Sequence, residues 1–168
     1  MGTKRHKAKA PKRVKVGIIS VSSTRSLAED KSGHWISKRA KKEKHDVLFH
    51  RLVPDDAETI RQTLQDVVNT YNPQVILLTG GTGIGSKDVT IEAVRPLFDK
   101  ELTAFGPLFV QLSFEDIDSA ALLSRATAGV VGKTVLFCMP GSLKACKLAC
   151  KALIFPELGH IVGHIQEN

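Results

Sequence analysis

Aromatic residues are scarce at 5% of the chain, with a single Trp and a single Tyr. A surface that stacks successive bases of a nucleic acid is therefore not expected. Cysteine is nearly as rare, and Cys138, Cys146 and Cys150 make an odd set. No His or Cys pair completes a zinc spacing, so these three read as buried thiols in a reducing cytoplasm. No apolar run approaches the ~20 residues of a membrane span. The first residues lack the apolar core of a signal peptide, and a cytoplasmic protein without a membrane partner is expected. Acidic residues are missing from positions 1–15, which carry Lys4, Arg5, Lys7, Lys9, Lys12, Arg13 and Lys15. The formal net charge of +7 lies entirely in that stretch, because elsewhere seventeen basic residues face seventeen acidic ones. Residues 1–13 have little to bury and are expected to form a disordered basic tail. Weak contact with nucleic acid through phosphate attraction is open to such a tail, and so is a purely solubilising role.

Residues 14–168 have the length of one domain with a sizeable core, and the overall composition, 42% hydrophobic and 24% charged, is that of a soluble globular chain. Val14–Ser20 (VKVGIIS), Asp46–Val53 (DVLFHRLV), Gln74–Gly80 (QVILLTG) and Lys133–Gly141 (KTVLFCMPG) are short apolar or β-branched runs, which predict strands. The unbroken run Val75–Leu78 belongs in the middle of a parallel sheet covered on both faces. Between these runs lie helical patterns. One starts at Asp30 or Ser32 and reaches about Lys44, with Trp35, Ile36 and Ala40 inward and a solvated lysine face outward. A second follows Pro54, with Ile60, Leu64, Val67 and Val68 at helical spacing and Asp56 as its cap. Shorter helices are expected over 90–97 and 104–114, and a strand or hairpin at SRATAGVVG. Ser142 should cap a helix to about Leu153, with a separate helix after Pro156. Strand and helix alternate, which predicts a doubly wound α/β fold.

The stretch Leu77–Ala93, LLTGGTGIGSKDVTIEA, has the look of a phosphate-holding loop. It is not a P-loop. Gly80 and Gly85 are correctly spaced, but Ser86-Lys87 reverses the order that would put a hydroxyl on magnesium. Nor is it a dinucleotide turn: Gly85 comes one residue early and the next strand is too distant. The alternative is a strand ending in Thr79, followed by Gly80, Gly81 and Gly83 at positive φ, with backbone amides forming an anion-binding hollow. Asp88 could cap the following helix, or hold magnesium beside the phosphate. Asp55 follows Pro54 at the carboxyl end of another strand, where open α/β sheets bind ligands. Two carboxylates over a phosphate site suit Mg²⁺-dependent phosphoryl or nucleotidyl transfer. Met139-Pro140-Gly141-Ser142 is a third strand–turn–helix junction, either an anion site or a plain capped helix.

Seven blocks carry a resemblance: VGIISVSSTR (Val16–Arg25), EDKSG (Glu29–Gly33), LVPDD (Leu52–Asp56), LLTGGTGIGSKDVTIEA (Leu77–Ala93), FGPLFVQLSFEDI (Phe105–Ile117), LLSRATAGVVGKT (Leu122–Thr134) and MPGSLKAC (Met139–Cys146). In this order they resemble the MoaB/MogA family of molybdenum-cofactor biosynthesis, the molybdopterin adenylyltransferases, with the later blocks nearest the MoaB branch. TGGTG followed by DVT is specific in combination. The resemblance implies a Rossmann-like three-layer α/β/α sandwich with a mostly parallel sheet, assembled as a trimer or hexamer. It implies Mg²⁺-dependent adenylylation of molybdopterin by ATP, with release of pyrophosphate. It implies Asp55 and Asp88 as catalytic, Mg²⁺-holding residues. Substrate and nucleotide would be bound by Ser20 and Ser22 of the first loop, by Thr79, Gly80, Gly81, Thr82 and Gly83, and by Pro140, Gly141 and Ser142. Thr90, Glu92, Ser124 and Arg125 are further candidates, Arg125 as an anion ligand or an interface partner. The chain departs from the family at Ser22-Ser23, where many relatives carry an acid after the serine. A non-catalytic pterin-binding or scaffold oligomer of the same fold is the alternative function, and molybdenum and tungsten are both open as the metal later inserted.

Overall fold

Alternating apolar residues in the strands split into two separate cores, one on each face of a single sheet. In the computed structural model, which describes residues 10–167, the sheet has six strands in the order β2-β1-β3-β6-β5-β4. They are β1 (Lys15–Val21), β2 (Asp46–Val53), β3 (Val75–Thr79), β4 (Lys100–Glu101), β5 (Thr127–Val131) and β6 (Thr134–Met139). β2, β1, β3 and β6 run parallel, while β5 returns antiparallel on β6 and the two-residue β4 on β5. The sheet is thus mixed, with a parallel heart, and SRATAGVVG supplies one arm of the β5–β6 hairpin.

The chain between strands forms α1 (Lys31–Lys42), α2 (Ala57–Tyr71), α3 (Thr90–Val94), α4 (Phe105–Ile117), α5 (Leu143–Ala149) and α6 (Phe155–Gln166). Val16, Ile18, Leu77, Val135 and Phe137 pack with Ile36 of α1, Phe109 of α4, Cys146 of α5 and Leu158 of α6. Ile19, Ile76, Leu78, Leu136 and Cys138 pack on the opposite face with Ile60, Leu64 and Val67 of α2 and Ala93 and Val94 of α3. Neighbouring residues such as Ile18 and Ile19 face opposite cores because side chains alternate along a strand. The result is the expected three-layer α/β/α arrangement.

The helix starts follow their caps. Asp30 accepts from the Gly33 amide, Asp56 from the Thr59 amide and Ser142 from the Ala145 amide. α2 ends on Asn72 in the left-handed conformation, φ 47°, a position Asn tolerates better than most residues. The expected break before Pro156 is absent. Leu143–Gln166 is one helix of 24 residues, in which Cys150–Ile154 form a π turn. The Phe155 amide bonds back to the Cys150 carbonyl, five residues earlier. The wider turn relieves the clash that a proline ring makes with the carbonyl four residues before it, so the helix continues through Pro156. This helix is long and apolar enough to cross a membrane by length and composition. Its Cys146, Ala149, Cys150, Ile154, Leu158 and Val162 are buried in the core.

Of the stretch expected as a tail, residues 1–9 lie outside the described residues. Ala10 and Pro11 lie against Gly159 and Gly163 of α6, where added Cβ atoms would meet them. Arg13 makes a two-pronged ion pair with Asp46, its nitrogens 2.7 and 2.5 Å from the carboxylate oxygens.

Candidate functional site

The parallel strands end in one row. Ser20 is paired with Leu52 of β2 and with Thr79 of β3, and Thr79 with Met139 of β6. The chain reverses direction across the sheet between β1 and β3, the place where a crevice opens beyond the carboxyl ends of an α/β sheet. Four loops emerge along that row, and each carries candidate residues named from sequence.

The third strand's loop makes the tightest approach. Gly80 has φ 97° and Gly81 φ 64°, a region where any side chain is strained. An added Cβ at Gly80 would overlap the Val21 carbonyl oxygen, and one at Gly81 would overlap the Thr90 hydroxyl and lie 3.2 Å from Asp55 Oδ1. The turn is fixed from below: the Gly80 amide donates to the Met139 carbonyl at 3.0 Å, and Thr90 donates its hydroxyl to the Gly80 carbonyl at 2.8 Å and its amide to the Gly81 carbonyl at 2.9 Å. Gly83 does not have the positive φ expected of it. Its smallness serves Asp88 instead, whose Oδ2 would stand 2.7 Å from a Cβ at that position.

Asp88 does not cap the helix that follows. The cap position of α3 is Val89, with no side-chain bond, while Asp88 Oδ2 accepts the Gly85 amide at 2.9 Å. The carboxylate is turned back over its own glycine turn. Asp55 is tied to the first loop: its Oδ2 accepts the Ser23 amide at 2.7 Å, and its amide donates to Ser23 Oγ at 2.9 Å. Ser23 thus acts as the clamp on Asp55. Both acids abut the Gly81–Gly85 turn, one at each end. Among the described residues there is no group of three or more His, Cys, Asp or Glu that could hold a metal by themselves. Two carboxylates, each with one oxygen engaged by an amide, match the sparse protein ligation of Mg²⁺, which relies on substrate phosphates and water for its other positions.

The loop after β6 closes the row. Thr79 Oγ1 donates to the Pro140 carbonyl at 3.1 Å and Ser32 Oγ to the Gly141 carbonyl at 2.8 Å. A Cβ on Gly141 would come within 3.1 Å of Gly80 Cα. Ser20, Ser22, Arg25, Thr79, Gly80 and Gly141 line a small cavity of about 20 Å³. It adjoins an open groove of about 260 Å³ bordered by Arg25, Glu29, Lys31, Ser32, Gly141 and Ser142. Larger hollows lie elsewhere: one of about 360 Å³ is mostly apolar, with Gln65 and Asn69 as its polar residues, and one of about 450 Å³ sets Lys144, Lys147 and Lys151 beside Glu115 and Asp116, but neither is lined by the ends of the parallel strands. Thr82 is 3% exposed, so its side chain faces the protein rather than the groove. Arg125 is held within the chain, donating to the Gly83 carbonyl at 3.0 Å and ion-paired with Glu92. Burial pushes the Glu92 carboxyl up, but the Arg125 bond, its own backbone amide and the charges of Arg125 and Arg95 together hold it below the ordinary range.

Sequence reasoning missed a buried polar network behind the row. Asp30 Oδ2 accepts from Ser20 Oγ and lies 2.7 Å from His50 Nε2, while Oδ1 accepts the Gly33 amide at 3.0 Å. Asp30 is 3% exposed. Burial pushes its carboxyl up, but the bonds from Ser20, Gly33 and His50 together hold it below the usual value. The only sequence signal was His50, a polar residue in an apolar strand.

A family described as a probable molybdopterin binding domain matches residues 17–160. The molybdenum cofactor biosynthesis protein B of Bacillus cereus is 46% identical over the whole of both chains. A probable molybdopterin adenylyltransferase of Methanocaldococcus jannaschii is 36% identical over 94% of this chain and 97% of its own. The crystal structure of a tungsten cofactor synthesizing protein, MoaB, from Pyrococcus furiosus superposes with a TM-score of 0.84. It is 39% identical, covering 93% of this chain and 99% of that one.

Proposed function

The chain belongs to the family of the probable molybdopterin binding domain and to molybdenum-cofactor biosynthesis, and from that premise we propose that it is a molybdopterin adenylyltransferase using Mg²⁺ and ATP. The observation that carries the reading is the pair Asp55 and Asp88, both abutting a glycine turn too tight for any side chain at Gly80 or Gly81. The relative named as a probable adenylyltransferase supports the reaction type.

In the proposed reaction a phosphate oxygen of molybdopterin attacks the α-phosphorus of ATP. A new P–O bond forms, the bond to the β-phosphate oxygen breaks, and pyrophosphate leaves. No covalent enzyme intermediate is required. The work of the chain is to position two polyanions and offset their charge. The Gly81–Gly83 backbone receives a phosphate closely, and Arg25 and Lys31, against the single acid Glu29, leave the adjoining groove net positive. Ser142, at the start of α5, presents a helix N-terminus to the same groove. Asp55 and Asp88 would hold Mg²⁺, which neutralises phosphate charge when bound. The Ser23 clamp fixes one oxygen of Asp55 and the Gly85 amide one oxygen of Asp88, so each carboxylate is oriented before substrate arrives.

Asp88→Asn separates chemistry from structure, because the amide oxygen can still accept from Gly85 while the charge is gone. With molybdopterin, ATP and Mg²⁺, pyrophosphate release should fall by about 10²–10³ at unchanged circular dichroism. Wild-type turnover in that variant would refute the assignment. Molybdopterin binding without any pyrophosphate release by the wild-type chain would favour a non-catalytic pterin-binding role. The proposed assembly is a homo-oligomer joined through the exposed apolar side chains at the end of α4 and beyond, Phe114, Ile117, Leu122 and Leu123.

A further inference from the structure

We infer that α6 carries a binding site for a single divalent transition-metal ion, built from His160 and His164 and oriented by Glu157, at the end of the long helix remote from Ser142. The two histidines are four residues apart, so they stand one above the other on the same helical face. Their Nε2 atoms lie 3.0 Å apart. His160 turns its other nitrogen, Nδ1, to Glu157 Oε2 at 3.1 Å. An ionised carboxylate can only accept, so Nδ1 carries the proton and the Nε2 of neutral His160 presents a lone pair. This carboxylate–histidine arrangement sets the tautomer of metal-ligating imidazoles and raises their basicity.

The spacing lets both nitrogens reach one ion. With metal–nitrogen bonds of about 2.0–2.1 Å, two nitrogens 3.0 Å apart subtend roughly 91–97° at a shared ion. A shift of a few tenths of an ångström in either ring spans the right angle of tetragonal and the ~109° of tetrahedral coordination, and imidazole affinity among divalent ions rises through Ni²⁺ to a maximum at Cu²⁺, which makes these two the probes. Without an ion, His164 Nε2–H is the donor to His160 Nε2. On binding, the ion takes the place of that proton, and neutral His164 carries its one proton on Nδ1. Two nitrogens fill two positions of the ion's shell. His160 is 18% exposed at its side chain and His164 is open to solvent, so an ion has a path in. The backbone under the pair is fixed, because Ala10 and Pro11 pack on Gly159 and Gly163. Little ordering is therefore left for binding to impose.

The test titrates the full-length chain with Cu²⁺, read by electron paramagnetic resonance, and with Ni²⁺, read by thermal unfolding. One equivalent of Cu²⁺ with coupling to two nitrogens is expected, together with a Ni²⁺-dependent rise in Tm. His160→Asn and His164→Asn should each weaken binding at least tenfold and abolish the rise in Tm. Glu157→Gln, which leaves both imidazoles in place, should weaken binding by about tenfold. Circular dichroism checks that each variant keeps its helix content. Binding that survives undiminished in the double histidine variant would belong to the chain's other histidines and would overturn the site. Undiminished binding in Glu157→Gln would overturn the orienting role.

Discussion

Replacing Gly80 by alanine should cost the protein about 2–5 kcal/mol of stability. Two separate effects make up that figure. An L-residue forced to φ 97° loses about 1–2 kcal/mol from the clash of Cβ with its own backbone. The new methyl must also displace the Val21 carbonyl oxygen, which belongs to the neighbouring strand and cannot swing aside as a side chain could. Overpacking of that kind adds about 1–3 kcal/mol. Gly132→Ala isolates the first effect, since Gly132 has φ 59° and nothing within 4 Å of an added Cβ. Urea unfolding of both variants and wild type, at one protein concentration to hold any assembly constant, gives the two differences directly. The Gly80 variant should be the less stable of the two by at least about 1 kcal/mol. If both alanines cost the same, the close approach of the Gly80 turn to β1 is not what makes glycine necessary, and the proposed tight seat for phosphate loses its basis.

Asp30→Asn should destabilise by about 1–3 kcal/mol near neutral pH, because it weakens a buried acceptor of three bonds. The folded carboxyl titrates below its unfolded value of about 3.9. Its contribution is therefore present above that value and is lost as pH falls through the folded one. The gap between wild type and variant should close as pH falls below about 4; a gap unchanged at low pH would contradict the network. Leu122, 85% exposed, is expected at a subunit contact, so Leu122→Asp should lower the mass measured by sedimentation while leaving helix content intact, and an unchanged mass would remove that surface from the assembly.

The parallel heart of the sheet was legible because its strands are short, largely apolar or β-branched runs bounded by Gly, Pro and Asp. The Asp56 and Ser142 caps were legible for the same local reason: a side chain and the amide three residues on. Asp88 was less so. A carboxylate just ahead of a helix reads as a cap, and only the folded turn reveals that the Gly85 amide captures it first. The Asp30 network was out of reach, since Ser20, Asp30 and His50 come from two strands and a helix start, and only strand pairing together with the packing of that helix on the sheet brings them together. The continuous Leu143–Gln166 helix was missed because proline is read as a stop, whereas a single wide turn upstream removes the clash that makes it one.

That wide turn divides the rod into two mechanical parts. At 1.5 Å per residue the 24-residue helix is about 36 Å long, with Ser142 at one end in the crevice and His164 near the other. A helix held throughout by regular four-residue bonds transmits a twist from end to end. Here the five-residue bond from Phe155 to Cys150, beside a proline that donates nothing, breaks that ladder midway. A torque applied near the histidines is taken up at the joint, and the serine that faces the crevice keeps its aim.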